Sequence, residues 1–183
     1  GEIISADSMQ VYRGMDIGSA KVSEEEMDGV KHYLIDVLDP SDEFNVVKFQ
    51  EMAKSAMDDI YSKGKIPIIA GGTGFYIQSI LYDIDFEKNE NDREYRTYLE
   101  NIAATEDGEK KLYEMLQDTD PKSAEIIHAN NVKRVIRALE FFKETGTPIS
   151  EHNEEQREKN SPYNFCYFVL NDDREKMYAN IEK

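Results

Sequence analysis

Three stretches of the sequence combine residue types that can do chemistry with spacings that could bring them together. The first is Asp7, which follows the apolar pair Ile3-Ile4 through Ser5 and Ala6, so a short buried strand ends on a carboxylate. The second is Gly71-Gly72-Thr73-Gly74, which closes the apolar run from Ile66 to Ala70 and opens onto Phe75. Ligands of an open parallel sheet bind beyond the carboxyl ends of its strands. If these two strands are neighbours, a carboxylate and a hydroxyl face one cleft. Asp7 is then placed as a general base and Thr73 as a hydrogen-bond partner of the reacting group, helped by N–H groups at the start of the following helix. On spacing alone the same residues read more readily as a turn carboxylate and a plain strand-to-helix connection. The third stretch opens at Asn130-Asn131. Val132, Val135, Ile136, Leu139 and Phe142 form one apolar helix face, and Lys133, Arg134 and Arg137 fall within roughly 100° of arc. Lys133 and Arg137, four apart, repel each other, which an anionic partner would relieve. The alternative is a solvated face screened by Glu140 and Glu144.

The elements that must position these groups follow from apolar periodicity. A second strand is expected over Tyr33 to Leu38, closed by Asp39-Pro40. Asn45 reads as the N-cap of a helix whose apolar residues, from Val46 through Phe49 and Ala53 to Ile60, keep three-to-four spacing until Gly64. Strand, helix, strand, glycine turn and helix are α/β grammar. After the charged stretch Glu87 to Asp92, helical patterns run from about Arg93 to Glu144 and read as an insertion. Three parts result: an α/β core over 1–85, a helical insertion over 86–158, and a return to the core over 159–183. In the last part, Tyr163 to Leu170 is expected to be a strand covered on both faces, with a helix starting at Asp173. Ser23 to Glu26 reads as a capping box at a helix start. Cys166 reads as a small buried hydrophobe, and Asp36 and Asp39 as metal ligands or turn formers.

Composition narrows the function classes. Acidic residues number 38 against 22 Lys plus Arg, a formal charge of −16. Neutralising phosphates takes clustered cations, so any polyanion site must be a local patch. No apolar stretch reaches the length of a membrane span, and the single cysteine excludes an internal disulfide. A soluble, cytoplasmic protein is expected, with no membrane partner.

Long ordered segments also match a known family. Ile4 to Lys21 (ISADSMQVYRGMDIGSAK), His32 to Pro40 (HYLIDVLDP), Gly71 to Tyr76 (GGTGFY), Asp120-Pro121, His128 to Asn131 (HANN) and Lys133 to Glu140 (KRVIRALE) closely resemble the bacterial tRNA dimethylallyltransferases, or isopentenyl-transferases. The resemblance implies a P-loop kinase-like α/β parallel sheet core with an inserted helical domain that grips a tRNA anticodon stem-loop. It implies transfer of a dimethylallyl group from dimethylallyl diphosphate to N6 of the adenosine three-prime of the anticodon. By resemblance, Asp7 is the general base or the hydrogen-bond acceptor for the adenine amine, and Asp7, Ser8, Met9 and Gln10 line the base pocket. Thr73 meets the target nucleotide or reacting centre, and Arg96, Lys133, Arg134, Val135, Ile136 and Arg137 contact tRNA. The family's nucleotide-binding P-loop and Mg²⁺ would hold the diphosphate, and a monomer is expected. No Gly-x-x-x-x-Gly-Lys-[Ser/Thr] occurs in the sequence, so the diphosphate-binding residues stay unassigned. The chain reads as a fragment without the phosphate loop and C-terminal part, expected not to prenylate by itself. A P-loop-type small-molecule kinase and a non-catalytic α/β binding module stand as rivals.

Overall fold

A computed structural model describes residues 1–86 and 93–181. The charged stretch at 87–92 lies outside the described residues. Burial in β1 (Glu2–Ser5) puts Ile4 fully inside and leaves Ile3 partly open, as a strand covered mainly on one face requires. β1 is the centre of a three-stranded parallel sheet of order β2-β1-β3, where β2 is His32–Tyr33 and β3 is Pro67–Ala70. The register sets Ile3 opposite His32 and Ile68, and Ile4 opposite Tyr33 and Ile69.

Parallel strands need a crossover, and α1 (Val46–Ser62) supplies it between β2 and β3. Its N-cap is Asn45, whose side chain accepts the Lys48 N–H at 3.1 Å. Phe49, Ala53, Met57 and Ile60 pack on the sheet with Ile4, Leu34 and Ile80. α2 (Gly74–Leu81) covers the same face, and its buried Tyr76 stacks on Phe49 with ring centroids 4.5 Å apart. At the foot of β1 the buried Glu2 carboxylate is held down to a pKa of about 2, first by Lys65 and then by the Tyr33 hydroxyl.

A separate core joins α3 (Arg93–Ala103), α4 (Gly108–Thr119), α5 (Pro121–Ile126) and α6 (Val132–Thr145) around Leu99, Leu112, Leu116, Val135 and Leu139. Asp120 is 1% exposed and fastens α7 (Ile149–Glu158) to this unit. Its carboxylate takes the Ser123 N–H at 3.0 Å and both the Ser150 N–H and hydroxyl, at 3.0 and 2.6 Å. Burial alone would raise its pKa, but the hydrogen bonds from Ser150 and Ser123 outweigh that and lower it.

Several expectations are corrected. The strand expected over Tyr33 to Leu38 pairs only at His32–Tyr33, because Leu34 and Asp36 turn left-handed at φ 62° and 55° and Leu38 makes a lone bridge to Tyr12. The Ser23–Glu26 box forms, with the Glu26 carboxylate taking the Ser23 N–H at 2.9 Å. Turns follow it instead of a helix, since Asp28 and Gly29 are left-handed at φ 47° and 72°. Tyr163 to Leu170 makes no strand: Tyr163 packs on the first core, while Phe168 and Leu170 stand 84% and 99% exposed. Cys166 is therefore exposed and not a core residue. Hydrophobicity marked this run for pairing, but no strand lies beside it among the described residues. The helix expected from Asp173 is present as α8 (Arg174–Ile181). Among the described residues, no helix is long and apolar enough to cross a membrane.

Candidate functional site

Backbone geometry joins Asp7 to the glycine turn. The Ala6 N–H donates to the Ala70 carbonyl at 2.7 Å and the Thr73 N–H donates to the Ala6 carbonyl at 3.2 Å, so the residue before Asp7 is tied to both ends of the turn. A Cβ on Gly71 would stand 2.4 Å from the Ala6 oxygen, so only glycine permits this approach. Asp7 uses Oδ1 to accept the Met9 and Gln10 N–H groups, at 2.8 and 3.1 Å. The turn-carboxylate reading is thus correct for one oxygen. Oδ2 takes no hydrogen bond among the described residues. Thr73 occupies the N-cap of α2, yet its hydroxyl makes no capping bond. Burial, then Tyr12 and then Asp7 push the Tyr76 phenol up, which places the Asp7 charge within electrostatic reach of the first turn of α2.

The loop after Asp7 is anchored from both sides. Gln10 accepts the Ser5 hydroxyl at 2.9 Å and donates to the Ser19 carbonyl at 3.1 Å, which makes its side chain a staple as well as a neighbour of Asp7. Lys21, 5% exposed at its side chain, donates to the Tyr12 carbonyl and to Asp16 at 2.7 Å and to Asp36 at 2.5 Å. Burial opposes its charge, but Asp16 and Asp36 more than compensate and raise its pKa. Met9 and residues 14–19 line a concavity of about 500 Å³, and Ser8, next to Met9 in the chain, is half-buried.

The basic helix behaves differently on its two faces. Lys133, Arg134 and Arg137 are exposed, while Val135 and Ile136 are 0% and 4% exposed in the second core. The side chains of Val135 and Ile136 hold the helix in that core. Arg134 and Arg137 line a groove of about 1490 Å³ between the helical unit and the α/β core. Arg96 of α3 joins them there, steadied by Glu100 at 3.0 Å and by the buried Glu140 at 3.4 Å. Lys133 is not part of the groove lining. The sequence reading missed Lys48, Phe75 and His152, which face the same groove from α1, α2 and α7. A signal for Phe75 existed: Tyr76 beside it belongs to the core, so Phe75 had to point outward.

Asp36 and Asp39 are engaged by Lys21 and Arg13, and among the described residues no group of three or more His, Cys, Asp or Glu could hold a metal ion.

The family model described as IPP transferase matches residues 10–183. The chain belongs to the IPP transferase family. It is 63% identical over 182 residues to the tRNA dimethylallyltransferase of Lachnoclostridium phytofermentans, covering all of this chain and 58% of that protein. Against the tRNA dimethylallyltransferase of Acetivibrio thermocellus it is 52% identical over 183 residues, with the same coverage of 100% and 58%. Among solved structures it is similar to the tRNA delta(2)-isopentenylpyrophosphate transferase of Staphylococcus epidermidis, at a TM-score of 0.57 and 43% identity, over 99% of this chain and 58% of that one. It is also similar to a eukaryotic dimethylallyltransferase acting on tRNA, at a TM-score of 0.75 and 33% identity, over 88% of this chain and 40% of that one. This IPP transferase chain thus spans 58% of the length of the curated relatives it matches. Its α/β architecture is that of its structural neighbours.

Proposed function

We propose that the protein containing this chain transfers a dimethylallyl group from dimethylallyl diphosphate to N6 of the adenosine three-prime of the anticodon in tRNA. The observation that carries the reading is the union of Asp7 and Thr73 at neighbouring strand ends, through the Ala6 carbonyl and the Thr73 N–H. An aromatic amine is a weak nucleophile, so the adenosine has to be flipped from its loop and held against the allylic carbon. Asp7 Oδ2 accepts a hydrogen bond from N6–H and takes the proton as the N6–carbon bond forms and the carbon–oxygen bond to diphosphate breaks. Thr73 orients the nucleotide from the other side. Arg96, Arg134 and Arg137 hold phosphates of the anticodon stem-loop, which explains how an acidic chain can meet a polyanion. Any Mg²⁺ would sit on diphosphate oxygens, as that ion commonly does with one or two carboxylates and its own waters. The reading is of a monomer, with Asp7 and Thr73 on one chain, acting on tRNA in the cytoplasm.

The test is steady-state kinetics of the full-length protein with tRNA. Asp7→Ala is expected to lower kcat by about 10²- to 10⁴-fold with the tRNA Kd unchanged. An unchanged kcat removes Asp7 from the mechanism.

A further inference from the structure

Resting on that reading, we propose that the wall of the groove built by α2 is a stacking platform for an unpaired base, with Phe75 as its centre and Tyr82 at its end. Phe75, Gln78 and Tyr82 recur at three- and four-residue steps and all line the groove, while Tyr76, Ser79 and Ile80 are buried on the other side of the helix. Phe75 is 52% exposed and Tyr82 37% exposed, although both sit beside a core that takes in Tyr76. Phe86 meets Phe75 edge to face, with centroids 6.0 Å apart and planes at 82°. A perpendicular contact fixes a ring and leaves at least one of its faces uncovered by that partner.

The rest of the lining says what the open ring is for. Arg96, Arg134 and Arg137 stand on the helical side and Lys48 at the start of α1, against the carboxylates Glu51 and Asp85. Asp85 is already paired with Lys159 at 2.6 Å, and that ammonium holds its carboxyl below the usual range. Cations on one wall and an aromatic stripe on the other match the backbone and the bases of a single strand, since every base has a face to stack and every phosphate a charge to meet. A duplex hides its bases and could use only the arginines. An acidic peptide likewise needs the cations and has no use for the rings. Phe75 is two residues beyond Thr73, so their Cα atoms are at most about 7 Å apart, which makes the nucleotide next to the target adenosine the one to probe.

The experiment uses the full-length protein and an anticodon stem-loop oligoribonucleotide with 2-aminopurine next to the target adenosine, titrated at several salt concentrations. Wild type should quench the 2-aminopurine on binding. Phe75→Leu keeps apolar bulk and removes the π face. It should relieve the quenching and weaken binding about tenfold or more while leaving the salt slope unchanged, and Phe75→Trp should restore both. Arg134→Ala is expected to reduce the salt slope by about 1 with quenching retained at saturation. Full quenching and undiminished affinity in Phe75→Leu would overturn the platform while the RNA reading stands, provided Arg134→Ala still loses slope. If the wild-type protein fails to bind the oligoribonucleotide at low salt, the underlying reading falls and the platform with it. If an acidic peptide competes for the groove with equal effect on wild type and Phe75→Leu, the groove is a protein-binding site and the proposal is wrong.

Discussion

The mouth at Asp7 and Thr73 and the groove beneath the arginines are built by opposite means. In the mouth, position is set by main chain: the β1–β3 ladder, the Thr73 N–H on the Ala6 carbonyl, and a glycine where a Cβ would stand 2.4 Å from that oxygen. In the groove, side chains from α1, α2, α3, α6 and α7 converge across the boundary between two cores. Backbone contacts within a sheet hold a few groups to fractions of an ångström, as bond making requires. Side chains on helices cover a longer surface with less accuracy, as contact with a nucleic-acid backbone requires.

The change expected to damage the mouth most is Gly71→Ala. The added methyl has backbone on its far side, so the turn must move away from Ala6, and kcat should fall about 10²- to 10³-fold. RNA affinity and its salt slope should hardly change. Equal loss of RNA binding would show that mouth and groove are one mechanical unit, which would break the contrast. Next in size is Asp120→Ala, which releases α7 and its groove residues from the helical unit. About 3 kcal/mol of unfolding free energy should be lost, read by denaturant melts. The Asp120 carboxyl has a lowered pKa in the folded state, so its stabilisation is complete above the ordinary carboxylate value and fades as pH falls through the lowered one. Asp120→Asn should flatten that acid limb of the stability curve, and an unchanged limb would assign the acid sensitivity elsewhere. The smallest effect concerns α6. Arg134→Glu with Arg137→Glu should weaken RNA binding about tenfold and reduce its salt slope by about 2, leaving kcat at saturation intact. Val135→Ala, in the core of the same helix, should lower Tm and leave the slope alone. A slope change in Val135→Ala would make that residue part of the contact surface.

Local signals carried much of the fold. Asn45 capped the helix expected of it, the three-to-four spacing through Ile60 named the buried face of α1, and the glycine turn fell at the end of a strand next to β1. The first two depend on residues close together in the chain, whereas the pairing of β3 with β1 spans about 65 residues. What escaped depends on distant partners. Leu34 and Asp36 look like strand residues until Lys21, buried and fifteen positions away from Asp36, draws that carboxylate out of the ladder direction. Tyr163 to Leu170 is apolar enough for a central strand, but apolarity states a need for cover and cannot name the neighbour that provides it. The groove was legible only as scattered cations, because its walls come from five helices and its aromatic wall is one residue out of phase with Tyr76. Val135 and Ile136 lie in the same contiguous sequence match as Lys133, Arg134 and Arg137, yet their side chains are buried on the opposite side of the helix.

The segment from Tyr12 to Lys21 has almost no regular secondary structure, yet the Lys21 ammonium and the Gln10 amide pin it at both ends. Stiffness of this kind travels along bonds between side chains and pays no regard to sequence distance. An alteration at Asp36 would slacken the stretch that borders Met9, so a change far from Asp7 and Thr73 can shift their surroundings without touching them.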